Sequence, residues 1–168
     1  MNVSDTIERL RRHENLDRET AAAFMDAVMR GEIGPATLAA ILIALSMKGE
    51  RADELAGLAE TMRRHAVDPE IDAARHATLV DTCGTGGDRS GTFNISTAAA
   101  IVVASCGVPV VKHGNRSVSS RCGSADVLEA LGIEIAATPE AVRRSLDEAG
   151  IAFLFAPAFH PAMKHAAP

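Results

Sequence analysis

The chain has no tryptophan and no tyrosine, and aromatics make up only 3% of its 168 residues. A core must therefore be built from aliphatic side chains and alanine, which suits closely packed helices. Three cysteines, Cys83, Cys106 and Cys122, form an odd set without CxxC spacing. That pattern offers neither a disulfide framework nor a zinc site and fits a reducing compartment. The N-terminal residues lack a basic region followed by an apolar one, and the longest apolar run, 98–104, falls far short of the roughly 20 residues that span a bilayer. The expectation is a cytoplasmic protein with no membrane partner. Positive charge is also scarce. A formal net charge of −5 argues against a nucleic-acid surface spread over the chain. Repeats and low-complexity segments are absent, and 47% hydrophobic content is ordinary for a globular protein of one domain or slightly more.

What is present falls into two patterns. Residues 1–66 read as helices only. Asp5-x-x-Glu8 has the form of a capping box, with Val3, Ile7 and Leu10 at helical spacing. Asp17 is placed to cap a second helix carrying Phe24, Met25 and Val28, stopped by Gly31. Pro35 suits the first turn of a third, with Leu38, Ile41, Leu42 and Leu45 as its apolar face and Gly49 as its end. Asp53 opens a fourth, with Leu55, Leu58 and Met62 inward. This predicts a small helical subdomain suited to packing or dimerisation. Periodicity fades over 67–77, which reads as a linker and hinge. From 78 to 168 strands and helices alternate: a strand at Leu79-Val80, a helix over 95–106, an apolar strand over 108–111, a helix from Ser124, a short edge strand at 133–135, a helix from Thr138-Pro139 to Gly150 and a strand over 151–155. Near-continuous apolar strands alternating with helices imply an α/β domain with a parallel sheet. The pattern stops after three or four strands, leaving a sheet edge uncovered, so the chain reads as a truncated domain.

Two loops carry the chemistry. The first, Asp81-Thr-Cys-Gly-Thr-Gly-Gly-Asp-Arg-Ser-Gly-Thr-Phe-Asn-Ile-Ser-Thr97, joins a strand to a helix N-terminus. Glycines let backbone amides approach phosphate oxygens, and the helix dipole favours negative charge there. It is neither a P-loop, since Thr92 and not lysine follows Gly91, nor a dinucleotide fingerprint, since position 89 is Arg89. Taken alone, the glycines are equally compatible with a tight turn, and Asn94, Ser96 and Thr97 with simple helix capping. Ser96 also offers a hydroxyl to a Mg²⁺ ion that bridges phosphates. The second loop, Lys112-His-Gly-Asn-Arg-Ser-Val-Ser-Ser120, follows the 108–111 strand and leaves a parallel sheet at the same carboxyl edge, where ligands bind in open α/β folds. Lys112 and Arg116 are suited to neutralising phosphate, the serine hydroxyls to orienting it, and Ser124 to capping the next helix. His113 has no visible acid–base partner. His160 and His165 lack metal-ligand spacing, and Cys83 has no neighbouring histidine, so no catalytic nucleophile is assigned.

Together, Gly84-Thr-Gly-Gly-Asp88, Asn94-Ile-Ser-Thr97 and Lys112-His-Gly-Asn-Arg116, in this order and spacing, resemble the anthranilate phosphoribosyltransferase family. The run from Gly123 to Gly132 and the turns Gly31-Glu32 and Lys48-Gly49-Glu50 resemble it too. The likeness covers the whole chain but only about the first half of a family member. It implies transfer of a 5-phosphoribosyl group from phosphoribosyl pyrophosphate to anthranilate, with release of pyrophosphate and with Mg²⁺ as cofactor. It implies donor contacts from Gly84, Gly87, Asp88, Thr92, Asn94, Ile95, Ser96, Thr97, Lys112, His113, Gly114, Asn115, Arg116, Ser117, Val118, Ser119, Ser120 and Ser124. Ser96 would ligate the metal, Gly84 and Asn115 would touch anthranilate, and a homodimer would form through the helical subdomain. The family's anthranilate-binding arginine and acidic metal-site pair have no counterpart before Pro168, so the chain by itself is expected to turn over little or no substrate. A pyrimidine-nucleoside phosphorylase shares this architecture, but its loops read differently. A nucleic-acid-binding homologue would show a basic stripe and degraded loops, and this chain is acidic with its loops intact.

Overall fold

A computed structural model describes residues 2–72, 74, 77–84, 91–117 and 122–166. Four helices form where the periodicity places them, with some caps shifted. Helix α1, Val3–Arg11, is capped by Asn2, whose side chain accepts the Asp5 amide at 3.2 Å, so Asp5 lies inside the helix and does not open it. Helix α2, Arg18–Met29, is capped by Asp17, which accepts the Thr20 amide at 2.8 Å. Helix α3, Pro35–Lys48, starts on Pro35 and stops at Gly49, whose φ of 86° is left-handed. Helix α4, Ala52–Arg64, begins before Asp53, because the Glu54 carboxylate takes the Arg51 amide at 2.8 Å. Leu10, Phe24, Val28, Leu38, Ile41 and Leu45 make the shared core.

The inward face of α4 differs from the expected one. Leu55 is exposed, and the buried residues are Glu54, Gly57 and Thr61, with Leu58 and Met62 partly buried against the core. The reason is close approach: a Cβ on Gly57 would stand 2.3 Å from the Arg18 carbonyl oxygen and 3.1 Å from the Ala22 nitrogen of α2. Turning Gly57 inward rotates Leu55 outward. Leu42 of α3 is likewise exposed.

A buried ion pair ties this bundle together. The side chains of Lys48 and Glu54 are 3% and 0% exposed and meet at 2.9 Å. Glu54 also accepts the amides of Leu16 at 2.7 Å and Arg51 at 2.8 Å. Burial alone would push its carboxyl up. The Leu16 amide, the Lys48 ammonium and the Arg51 amide outweigh that and hold it below the ordinary range.

Residues Val67–Phe159 form a second compact unit, while His160–Pro168 group with Met1–Ala66. Helix α5 is Ile95–Ser105, strand β1 Val110–Gly114, helix α6 Ser124–Ala130, helix α7 Pro139–Ala149, strand β2 Ile151–Phe155 and the short helix α8 Ala156–Phe159. Strands β1 and β2 pair in parallel, from Val110 opposite Ile151 to Gly114 opposite Phe155. The expected strand at Leu79-Val80 is reduced to a single parallel bridge between Val80 and Val110. β1 starts later than expected and runs through Lys112 and His113 to Gly114. Residues 133–135 form no strand. Ile135 instead packs into a small cluster with Ala125 and Leu128, backed by Phe153 and Phe155. The main core of this unit is Val111, Val142, Leu146, Ala152 and Phe159.

Two segments group differently from the expected division. Residues 67–72 are not a free linker: Ile71 packs on the second core, and Arg143 of α7 donates to the Pro69 carbonyl and the Glu70 carboxylate, both at 3.0 Å. At the other end, a 3-10 turn over Pro161–His165 packs Ala162 and Met163 against the helical core, beside Gly31. Among the described residues no helix is long and apolar enough to cross a membrane.

Lys48→Met strands the buried Glu54 carboxylate without its cation. A loss of about 3 kcal/mol in urea unfolding is expected. Since the folded-state pKa of Glu54 is depressed, its contribution is complete above the ordinary glutamate value of about 4.3 and is lost as pH falls through the folded value. The melting temperature of the wild-type chain should therefore drop faster on acidification below pH 4 than that of Glu54→Gln.

Candidate functional site

The parallel bridge at Val80 and the parallel strand β1 send the segments that follow them out at one edge of the sheet. Hydrogen bonds stitch these segments together there. Thr82 Oγ1 donates to the Ser96 carbonyl at 2.8 Å, drawing the first loop onto the start of α5. Asp81 Oδ1 accepts the amides of Cys83 at 2.9 Å and His113 at 3.4 Å, linking the first loop to β1. Asn94 Nδ2 donates to the Gly123 carbonyl at 3.1 Å, linking α5 to the start of α6. The Asn115 carbonyl accepts from Ser124 Oγ and from the Ala125 amide, each at 3.2 Å. Gly84, Asn94, Ile95, Ser96, Thr97, Lys112, His113, Gly114, Asn115, Arg116, Ser117 and Ser124 thus lie on segments that the fold brings to one edge, together with exposed Thr92. Gly87, Asp88, Val118, Ser119 and Ser120 lie outside the described residues.

Lys112 is the central charge. It is 4% exposed, and the hydrogen bond it donates, to the His113 carbonyl, is long at 3.4 Å. Burial pushes its pKa down, partly opposed by the Asp81 carboxylate and Cys83. Thr97 Oγ1 is buried with no hydrogen-bond partner among the described residues. A buried ammonium and an unpaired buried hydroxyl at the head of a helix are both costly without a ligand, and both suit an anion's oxygens. Cys83 is not primed for attack: its hydrogen bond to Asp81, then burial, push its thiol pKa up.

Arg116 departs from the phosphate-neutralising role that its charge suggested. Its guanidinium is gripped by Glu129 at 2.8 and 3.0 Å and by Asp126 at 3.1 Å, and it lies 5.9 Å from the centre of the Phe155 ring. Ser124 is not the cap of α6. Gly123 occupies that position, Asp126 takes its amide at 2.8 Å, and Ser124 is the first helical residue. Asp126 escaped the sequence reading although Gly123-x-x-Asp126 carries the acidic half of a capping box. Gly114 is required by packing, since a Cβ there would fall 2.2 Å from Ser124 Oγ and 2.7 Å from the Phe153 ring.

Amides, hydroxyls and a buried cation gathered at one edge have the chemistry to hold an anion. No group of three His, Cys, Asp or Glu side chains suited to a metal occurs among the described residues. The Ser96 hydroxyl is a hard oxygen, which fits Mg²⁺, an ion that takes few protein ligands and completes its shell with phosphates and water. A separate hollow of about 590 Å³ on the helical unit is lined by Arg18, Glu60 and Arg64 among others, and there Arg18 and Glu60 pair with each other.

Two family models match the chain: the glycosyl transferase family helical bundle domain over residues 4–66, and the glycosyl transferase family a/b domain over residues 76–168. An anthranilate phosphoribosyltransferase of Moorella thermoacetica is 60% identical over 154 residues, covering 92% of this chain and 44% of the relative. That of Solibacter usitatus is 56% identical over 168 residues, covering 100% of this chain and 49% of the relative. The crystal structure of anthranilate phosphoribosyltransferase from Thermus thermophilus superposes with a TM-score of 0.88 at 48% identity, over 98% of this chain and 49% of that one. The enzyme from Saccharomyces cerevisiae in complex with PRPP and Mg superposes with a TM-score of 0.82 at 25% identity, with the same coverage. The chain spans about half the length of the curated relatives it matches.

Lys112→Met removes a buried charge that folding does not favour. The melting temperature should hold or rise, while the affinity for inorganic pyrophosphate falls by about tenfold or more in calorimetry. A variant that melts lower and binds pyrophosphate unchanged would show Lys112 to be a structural residue only.

Proposed function

The chain belongs to the glycosyl transferase family in both its helical-bundle and its a/b parts, and from that premise we propose that it carries the donor-binding side of an anthranilate phosphoribosyltransferase. The reaction joins the amine of anthranilate to C1 of the phosphoribosyl group and releases pyrophosphate, a step of tryptophan biosynthesis. The observation that supports this most is the meeting, at one sheet edge, of Gly84 and the 94–97 and 112–117 segments, with Lys112 buried and the Thr97 hydroxyl without a partner among the described residues.

In this reading Gly84, Gly87, Asp88, Thr92 and residues 94–97 hold the donor from one side. Lys112 with the 113–120 segment and Ser124 hold it from the other, and Gly84 and Asn115 border anthranilate. Mg²⁺, held in part by the Ser96 hydroxyl, would supply charge neutralisation on the pyrophosphate. Lys112 adds a further positive charge in a site shielded from water, where it counts for more than at a surface. The amides and hydroxyls orient the ribose so that the amine meets C1 in line, as the bond to pyrophosphate lengthens and an oxocarbenium-like centre develops. That chemistry requires no covalent nucleophile.

Assembly belongs to the bundle in the same reading. Helix α3 exposes Leu42, Ile43 and Met47, an apolar surface suited to a second copy of the chain, so we take the protein to be a homodimer. The cytoplasm, where its three free cysteines stay reduced, is its place of action. The net charge of −5 offers nucleic acid nothing.

Calorimetry with phosphoribosyl pyrophosphate should show binding that depends on Mg²⁺ and that weakens about tenfold in Ser96→Ala. A steady-state assay with anthranilate should show little turnover by the 168-residue chain alone. Absence of donor binding would overturn the reading, and full turnover would overturn the assignment of only one side of the site. For the dimer, Ile43→Glu should shift the sedimentation coefficient from dimer to monomer.

A further inference from the structure

One carboxylate oxygen ties Ser117 of the second loop to Gly123 at the start of α6. Asp126 Oδ2 accepts the amide of Ser117 at 3.0 Å and that of Gly123 at 2.8 Å, so the segment between them starts and finishes on the same atom. Asp126 Oδ1 accepts Arg116 Nη1 at 3.1 Å. The closure is tight. A Cβ on Gly123 would stand 2.4 Å from the Ser117 nitrogen, 2.5 Å from the Arg116 carbonyl carbon and 2.7 Å from the Asn115 oxygen, all backbone atoms. The Gly123 carbonyl in turn accepts from Asn94 at the head of α5, so whatever fixes Gly123 also fixes the spacing of the two anion loops.

A carboxylate beside an anion site repels the anion unless its charge is spent elsewhere. Here two backbone amides and the Arg116 guanidinium spend it, and Arg116 also binds Glu129 through two bonds. A guanidinium with its donors turned toward two carboxylates, one face on Phe155, is poorly placed to grip phosphate as well. We propose that Asp126 is a positioning residue for the donor site and that the Arg116 side chain is its counter-cation, a strut that fixes the loop and screens Asp126 and Glu129 from the donor. The inference rests on the donor-binding reading above. It assigns no phosphate contact to the Arg116 guanidinium.

Among the described residues, the charged groups facing Asp126 are Arg116, from the segment after β1, and Glu129, on α6 itself; Asn94, which caps α5, and Phe155 of β2 are neutral. The first arm of the test is a ¹H–¹⁵N titration of the 168-residue chain. The Ser117 and Gly123 amides should move together on acidification, with one midpoint below the ordinary carboxylate range, and this shared transition should vanish in Asp126→Asn. The second arm is calorimetry with phosphoribosyl pyrophosphate and Mg²⁺, and with inorganic pyrophosphate. Asp126→Asn should bind about tenfold more weakly at an unchanged melting temperature. Arg116→Ala should also bind more weakly, and adding Glu129→Gln to it should recover about threefold, since the second change removes a now unscreened carboxylate. A direct phosphate ligand would show the opposite: no recovery in the double variant, and tighter binding in Glu129→Gln alone, which frees the guanidinium. Amides that titrate independently, or Asp126→Asn binding as the wild type does, would also overturn the proposal. If the wild-type chain binds neither probe, the donor reading and the functional half of this inference fall together. The amide titration then decides on its own whether Asp126 holds the loop.

Discussion

Parallel strand pairing is the constraint on which the site depends. β1 runs parallel to β2 and to the bridge at Val80, so the chain leaves Val80 and Gly114 on the same side of the sheet. An antiparallel neighbour would have sent one of the two loops to the opposite end. The covering helices are needed to bring the chain back for each parallel strand, and the backbone hydrogen bonds between the loops only refine a meeting that the topology imposes. The ammonium of Lys112 follows from the same arrangement. It projects from β1 to the face opposite Val111 and the core around Val142, Leu146 and Ala152, and it is 4% exposed there.

Charges are placed differently in the two units. The bundle buries a complete ion pair, with Lys48 and Glu54 each satisfied by further polar atoms. Such a pair adds little to stability against an apolar alternative but is costly to break, which favours one arrangement of α3, α4 and the turn at Leu16. Among the described residues, the α/β unit buries a cation whose hydrogen bond to a carbonyl is long, with Asp81 as its carboxylate neighbour, and a hydroxyl that has no partner. Lys48 is satisfied from within the protein; Lys112 is left with the weaker partner, which is what the proposed ligand role requires. That contrast separates the two lysines more clearly than burial does, since both side chains are hidden from water.

Much of this was legible in the sequence. Helix periodicity, Asp17, Pro35 and Gly49 located the bundle, and the apolar runs at 108–111 and 151–155 located the sheet. The two loops were readable because glycine, hydroxyl and basic residues cluster at strand ends. What escaped the reading depended on distances between elements. The exposure of Leu55 follows from how near α4 comes to α2 at Gly57, and that approach is visible only in three dimensions. The segment 133–135 has the composition of a strand, but Ile135 found a better partner in Ala125 and Leu128 than a sheet edge would have offered. Arg116 looked like a phosphate ligand because its carboxylate partners lie ten and thirteen residues further on and reach it only once α6 has folded back.

The return of Pro161–His165 to the helical core has a consequence for the order of assembly. Ala162 and Met163 complete a surface begun by helices made more than a hundred residues earlier in synthesis. Until the whole of Val67–Phe159 has left the ribosome, the bundle waits with that part of its apolar surface in water. The entropic cost of closing a loop rises only slowly with its length, so the delay is a matter of time more than of equilibrium. The nascent bundle therefore keeps that apolar surface exposed until Pro161–His165 has been made.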